Sequence, residues 1–295
     1  MKITLTGSLG NISKPLAKQL IDAGHQVIII SSNQDKTADI EALGAIAAIG
    51  LVTDVDFLTK AFTGADVVYT MVPPNFGASN FRQYVGGIGK NYAEAIQRSG
   101  VSRVVNLSSI GAHLDEGTGP IKGLHDVETA LNKLENVAIK HLRVPFFYVN
   151  FYGNTDMIRH QGILGSNYDS NTRLVMVHPE DIAAAVAEEI QPPFTGKSVR
   201  YLVSDERTTG EIATILGTAI GKPELPWVEF NDEQAFNGML QAGLPEEIAR
   251  NFVEMGTAVR SGALWRDYDL NQPTITGKRK LEAFAKEFAI KFANG

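Results

Sequence analysis

The chain has 295 residues, of which 44% are hydrophobic and 20% charged, with a net charge of −6 and no cysteine. That balance suits one or two globular domains with a large buried core. It excludes a disulfide framework, a thiolate metal site and a cysteine nucleophile, and the absence of any dense Lys/Arg run argues against a direct nucleic-acid surface.

The first apolar run, 2–6, reads as a buried strand with no basic or long apolar leader ahead of it, so a cytoplasmic protein is expected. No apolar stretch reaches the roughly 20 residues needed to cross a bilayer, and no membrane partner is expected. A glycine turn follows, then a helix over 12–23 that Gly24 ends at a position favouring left-handed backbone. The β-branched run QVIIIS at 26–31 is the second strand. A helix over 36–43, a strand over 45–49 and a helix over 54–62 come next. They are followed by a strand over 66–71 and a long helix over 80–99 closed by Gly100. A fifth strand (103–107), a helix (126–134) and a sixth strand (137–142) complete the regular part. Continuous rather than alternating apolar strands imply a sheet covered on both faces, and strand–helix alternation implies parallel pairing. Right-handed crossovers then give an α/β fold, a Rossmann-type doubly wound parallel sheet.

After Arg143 the rhythm breaks. The segment PFFYVNFY at 145–152 is aromatic and loop-like, 178–190 reads as a helix and 200–204 as a strand. From Thr208 onward the pattern is mostly helical, with prolines at 223, 226, 245 and 273. The expected organisation is a sheet domain over 1–150, to which 176–205 returns. A smaller, mostly helical C-terminal domain over 206–295, joined by 151–175, lies on the substrate side.

The turn Gly7-Ser8-Leu9-Gly10-Asn11-Ile12-Ser13, between an N-terminal strand and a helix, is a dinucleotide-binding context. Gly7 permits the tight turn. Gly10 lets backbone N–H groups approach a pyrophosphate at the positive helix end, and Ser13, small enough for close helix–strand packing, stands where a third glycine is usual. Gly7, Leu9, Gly10, Asn11 and Ile12 are therefore cofactor candidates; a tight turn without ligand is the alternative. At the tip of the second strand, an acid would select NAD and a cation NADP. The tip offers Ser31, Ser32, Asn33 and Lys36 instead of an acid, while Asp35 reads as a helix cap. NADP is the expected cofactor and NAD the alternative.

Several further pieces follow one another in a fixed order: Thr6-Gly7-x-x-Gly10, Gly50 to Asp54, Val72-Pro73-Pro74, Leu107-Ser108-Ser109-x-Gly111-Ala112, Leu142-Arg143 with the aromatic segment, HPEDIA at 178–183, and Thr276-Gly277-Lys278. Together they resemble the NmrA-like branch of the atypical short-chain dehydrogenase/reductases. That branch includes NAD(P)H quinone oxidoreductases, triphenylmethane dye reductases and nucleotide-sensing regulators. Two departures stand out. The superfamily's Tyr-x-x-x-Lys pair, counted back from Leu142-Arg143, falls on Ile121 and His125, and Leu51 replaces an adenine-contacting Asp. Ile121 offers no proton, so a standard ketone dehydrogenase is not expected. His125, able to hydrogen-bond a nicotinamide ribose or a substrate, is the catalytic candidate; a partly buried structural histidine is the other reading.

Ser108 and Ser109 end the fifth strand, where ligands meet an open parallel sheet, and join Val72 and Pro73 as cofactor candidates. Pro74 and Phe76 could wall the nicotinamide, His113 lies in the following loop, and Phe146, Phe147, Tyr148 and Tyr152 could form a flat aromatic pocket. Packing or turn formation is the competing reading for each. Trp227 and Trp265 read as packing residues, Glu188-Glu189 as a solvated helix face, and no histidine pair has metal-ligand spacing. The expected activity is NAD(P)H-dependent reduction of a small planar acceptor such as a quinone. The competing expectation is a non-catalytic dinucleotide sensor acting through a protein partner.

Overall fold

The computed structural model describes residues 1–294. They fold as two compact units. The first comprises Met1–Asp115, Ile121–Arg143 and Ile182–Arg200; the second comprises Glu116–Pro120, Val144–Asp181 and the chain from Tyr201 onward.

In the first unit the elements run β1 (Lys2–Leu5), α1 (Ser13–Asp22), β2 (Gln26–Ser31), α2 (Thr37–Ala42), β3 (Ile46–Ile49), α3 (Val55–Phe62), β4 (Val67–Thr70), α4 (Phe81–Ser99), β5 (Arg103–Ser109), α5 (Lys122–Asn132) and β6 (Ala138–Val144). A helix at Pro179–Ile190 and a strand at Lys197–Tyr201 follow. The seven-stranded sheet has the order Lys197–Tyr201, β6, β5, β4, β1, β2, β3, and the pairings of β5 with β4, β4 with β1, β1 with β2 and β2 with β3 are parallel. The strand order reverses between β1 and β4, the switch point at which doubly wound sheets bind ligands beyond their strands' C-terminal ends. Ile3, Leu5, Val67, Val68 and Ile29 are completely buried, as continuous apolar strands between helical layers require.

Local chemistry sets the helix ends. Asp54 caps α3 by accepting the Phe57 N–H at 3.0 Å, and Asn80 caps α4 by accepting the Gln83 N–H at 2.8 Å. Helices α4 and α5 pack backbone to backbone: a Cβ on Gly89 would lie 2.8 Å from Val127 Cα, and one on Gly123 would lie 2.6 Å from Val85 Cβ. That contact corrects the expected start of α5. Gly123 is helical, and α5 begins at Lys122, four residues before the expected 126.

The second unit holds the helices Thr155–Gln161, Thr209–Ala219, Asp232–Gln241, Glu246–Arg260, Arg266–Asn271 and Leu281–Asn294. Beside them lie five short strands that sequence periodicity missed. Arg173–Val177 pairs antiparallel with Asp205–Thr208 and parallel with Phe146–Phe147, and Leu164–Ser166 pairs with Trp227–Glu229. The strand expected at 200–204 is corrected: Lys197–Tyr201 of the large sheet ends there, 202–204 are not strand, and Asp205–Thr208 of the small sheet begins after them. The segment 145–152 is the Phe146–Phe147 strand running into a 3-10 helix from Tyr148. The HPEDIA and Thr-Gly-Lys pieces meet here. Asp181 Oδ2 accepts the Ser204 hydroxyl at 2.7 Å and the Arg279 N–H at 3.0 Å, and a Cβ on Gly277 would come within 2.8 Å of that same oxygen. Among the described residues no helix is long and apolar enough to cross a membrane.

Candidate functional site

The sequence between β1 and α1 folds into a cradle. Gly7 has φ 94° and Ser8 φ 53°, so the chain makes two successive left-handed steps and returns, with Gly10 N–H donating to Gly7 O at 3.1 Å. A Cβ on Gly7 would sit 2.5 Å from Ser13 Oγ. Ser13 is buried and its hydroxyl donates to Thr6 O at 2.8 Å, fastening the first turn of α1 to the end of β1. A Cβ on Gly10 would approach Gly7 O at 3.0 Å. Unlike α3 and α4, α1 receives no side-chain cap at its N-terminus. Within its first turn Lys14 N–H donates to Gly10 O at 3.1 Å, Pro15 has no N–H and Leu16 N–H donates to Ile12 O at 3.0 Å, so the donors at the positive end of the helix dipole that suit an anion are the N–H groups of Asn11, Ile12 and Ser13. The turn and the bare helix end fit a pyrophosphate.

The tip of β2 is tied to this cradle. Ser8 Oγ donates to Ser31 Oγ at 2.9 Å, and Ser31 Oγ accepts the Asn33 N–H at 3.2 Å. Ser31 is buried and its hydroxyl is engaged within the protein, whereas Ser32, Asn33 and Lys36 are exposed beyond it. Asn33, not Asp35, is the cap of the next turn: its Oδ1 accepts the Asp35 N–H at 2.8 Å, so the expectation for Asp35 is corrected. Lys36 Nζ lies 3.7 Å from Asp39. The exposed surface at this tip therefore carries two neutral polar side chains and a cation, with no carboxylate at 31–33.

Beyond β4, Val72 and Pro73 are half-buried and Pro74 and Phe76 exposed. Tyr84 of α4 donates its hydroxyl to Pro73 O at 3.1 Å and steadies that loop, while Phe76 stacks on Phe81 with ring centroids 5.7 Å apart. His113 is half-buried in the loop after β5, and Leu51, beyond β3, is exposed.

Beyond β5 the sequence reading missed the main feature. Ser108 is buried, and its hydroxyl donates to Glu128 Oε1 at 2.5 Å. Glu128 is itself held by Arg143 of β6, with Nε at 3.0 Å from Oε1 and NH2 at 2.7 Å from Oε2. Burial alone would raise the Glu128 pKa; the Arg143 bonds and charge, His141 and the Ser108 bond outweigh it and hold the carboxyl below the usual range. The signal was present: Leu124, Val127 and Leu131 form the apolar stripe of α5, and position 128 falls on the same face, which places a glutamate on the buried side. Ser109 is half-buried and bonds the neighbouring Ile110 O.

His125 is half-buried on α5. Its Nδ1–H donates to Ala112 O at 2.9 Å, and Thr129 Oγ1 lies 3.4 Å from Nε2. A carbonyl oxygen only accepts, so Nδ1 carries the proton and Nε2 of the neutral ring is an acceptor. Asp126 does not pair with it but with Arg82 of α4, Nε to Oδ2 at 2.8 Å. Position 121 is a buried isoleucine just ahead of α5.

The structure thus gathers Gly7 to Ile12, Ser31 to Lys36, Val72 to Phe76, Ser108, Ser109, His113 and His125 at the C-terminal ends of β1, β2, β4 and β5 and at α5. Phe146, Phe147, Tyr148 and Tyr152 belong to the second unit. Tyr148 is fully buried there, stacked on Phe284 at 5.3 Å, and Tyr152 stacks on Phe288 at 5.9 Å. Phe146 packs on Phe151 at 5.0 Å, and Phe147 is half-buried. Trp227 is a packing residue, its Nε1–H on Tyr168 O at 2.8 Å and its ring on Tyr168. Glu189 corrects the expectation of a solvated face, since it is half-buried between Lys140 and Arg200.

Comparison with known proteins follows the same lines. The chain is 23% identical to the NAD(P)H azoreductase of Xenophilus azovorans over 293 residues, 98% of this chain and 99% of that one. A shorter stretch of 77 residues is 32% identical to an uncharacterized protein of Schizosaccharomyces pombe, and it spans only 26% of either chain. The triphenylmethane reductase of Citrobacter sp. complexed with NADP(H) superposes with a TM-score of 0.81 at 22% identity, over 97% of this chain and 99% of that one. The NADPH-dependent quinone oxidoreductase of Escherichia coli complexed with NADPH gives a TM-score of 0.80 at 18% identity, over 97% and 99%. Residues 7–193, from the first glycine of the cradle through the helix at Pro179–Ile190, match the NAD(P)H-binding family, and the chain belongs to that family.

Proposed function

We propose that this protein is an NADPH-dependent reductase that passes a hydride to a small planar acceptor such as a quinone or a dye. The observation that carries the reading is a pairing at one sheet edge. A phosphate cradle stands at α1, while Ile121, which the resemblance aligns with the proton-donating phenol of ketone chemistry, is buried hydrocarbon. A quinone or dye needs no such phenol, because its reduced form takes protons from water. Bound NADPH would supply the hydride; holding it against the acceptor accounts for most of the catalysis.

In this reading Leu9, Asn11 and Ile12 bind the pyrophosphate through backbone N–H groups, and Gly7 and Gly10 shape the turn that lets it approach. Ser32, Asn33 and Lys36 receive the adenosine 2′-phosphate, and the missing carboxylate at the β2 tip favours NADP over NAD. Val72, Pro73 and Ser109 line the nicotinamide side. His125 accepts a ribose hydroxyl at Nε2, and Pro74 and Phe76 offer an apolar surface to the acceptor. The azoreductase, the dye reductase and the quinone oxidoreductase support the acceptor class by analogy.

The test is NADPH oxidation against a panel of quinones, azo dyes and triphenylmethane dyes, beside calorimetry with NAD, NADH, NADP and NADPH. Acceptor-dependent oxidation with preference for NADPH is expected. No turnover above background with any acceptor removes the reading, and tight binding without turnover leaves a sensor in its place.

A further inference from the structure

We propose that Glu128, held by Arg143, is a positioning residue that sets the orientation of the His125 ring through the rotation of α5. The proposal rests on the functional reading above only for its effect on dinucleotide binding; its structural content stands on the hydrogen bonds.

His125 and Glu128 are three residues apart, so they project from neighbouring points on one face of the helix. Both reach toward the β5 end: His125 to Ala112 O at 2.9 Å, Glu128 to the Ser108 hydroxyl at 2.5 Å. Arg143 grips the two Glu128 oxygens from β6, at 3.0 and 2.7 Å, in a fork that admits little sliding. The ion pair is buried on both sides, so it is screened far less than a surface pair. On another flank of the helix, Asp126 is clamped to Arg82, which restrains α5 against α4. The side chains of a helix end about 5–6 Å from its axis. A rotation of about 10° therefore moves the imidazole by about 1 Å, enough to stretch the Ala112 bond beyond hydrogen-bonding range. Without that bond nothing in the Ala112 loop selects the Nδ1–H tautomer, and Nε2 ceases to be a dedicated acceptor. Ser108 gains a definite role as well. Its single proton goes to Glu128, so it tethers the helix and has no proton left to donate to a ligand.

The experiment uses the full chain. Removing Glu128 alone strands a buried guanidinium and endangers folding, so the principal variant is Glu128→Met/Arg143→Met, which discards both charges at similar volume. Ser108→Ala removes only the tether. The first readout is the tautomer of His125, from long-range ¹H–¹⁵N spectra of the imidazoles. The wild type should show Nδ1–H, and both variants should shift toward Nε2–H. The second is NADPH affinity by fluorescence titration. The double variant should bind threefold to tenfold more weakly, and adding His125→Ala to it should cost nothing further. A cooperatively folded double variant in which His125 keeps its Nδ1–H tautomer overturns the proposal, as does full additivity of the affinity losses. If the tautomer shifts while His125→Ala leaves affinity unchanged, the positioning holds and the assignment of His125 to the dinucleotide fails.

Discussion

Replacing Gly10 with alanine should separate dinucleotide binding from folding. The added Cβ would lie 3.0 Å from Gly7 O, against about 3.4 Å for ordinary contact, so the turn must open by about 0.4 Å. Gly7 O is the acceptor that closes the turn, bonded to Gly10 N–H at 3.1 Å, so the movement falls on the peptide groups that face the pyrophosphate. Hydrogen bonds to a charged group contribute about 1.5–3 kcal/mol each, and spoiling one weakens NADPH binding by roughly ten- to a hundredfold. Folding should change little, because Gly10, unlike Gly7, does not occupy the left-handed region. Fluorescence titration with NADPH and a thermal melt of the same preparation provide the two readouts. Gly10→Ala that binds NADPH within twofold of wild type would refute the cradle as the phosphate site. A melting temperature that collapses would refute the separation of roles.

Three further outcomes are expected. Lys36→Ala should weaken NADPH about two- to fivefold at low salt and leave NADH unchanged, as one exposed cation near a phosphate predicts; equal losses for the two cofactors would remove Lys36 from the 2′-phosphate site. His125→Ala should cost one neutral hydrogen bond, about 0.5–1.5 kcal/mol or up to tenfold in affinity. His125→Lys should retain cofactor binding without creating ketone reductase activity, because Ile121 still gives no proton, and ketone turnover in that variant would contradict the argument. The acid limb of stability should follow Glu128. Its folded pKa is lowered, so its contribution is complete above the unfolded value of about 4.3 and is lost as pH falls toward the folded value. Thermal melts from pH 7 to 3 should show a decline below about pH 4 that is shallower in Glu128→Met/Arg143→Met; identical slopes would show that other carboxylates govern it.

The sheet was legible because its strands are buried on both faces. Runs such as QVIIIS and DVVYTM are too apolar to be anything else at that length, and glycines at 24, 64 and 100 punctuate them. The cradle was legible because two glycines and a small serine at this spacing, directly after an N-terminal strand, answer a steric demand that bulky residues do not meet. The second unit was harder to read. Its strands have two to five residues, too few to establish a period, and Gly123 hid the first turn of α5 because its helix-packing role depends on Val85, far away in sequence. The Glu128–Arg143 pair escaped notice since charged residues on helices usually face water. Only the stripe through Leu124, Val127 and Leu131 distinguishes this one.

The hydroxyl of Ser13 has a kinetic consequence. By bonding Thr6 O it holds the first turn of α1 against β1, with Ser8 and Ser31 bracing the other side of the turn. On the proposed assignment of this turn to the pyrophosphate, the donors stand in place at the moment of encounter, and capture of the dinucleotide is expected to need no rearrangement of the turn. Association is then governed by diffusion and orientation, and cofactors that share a pyrophosphate arrive at similar rates. What distinguishes them is dwell time. On the proposed assignment of Ser32, Asn33 and Lys36 to the 2′-phosphate, the exposed tip acts on departure, and discrimination between phosphorylated and unphosphorylated dinucleotides is expected in the dissociation rate.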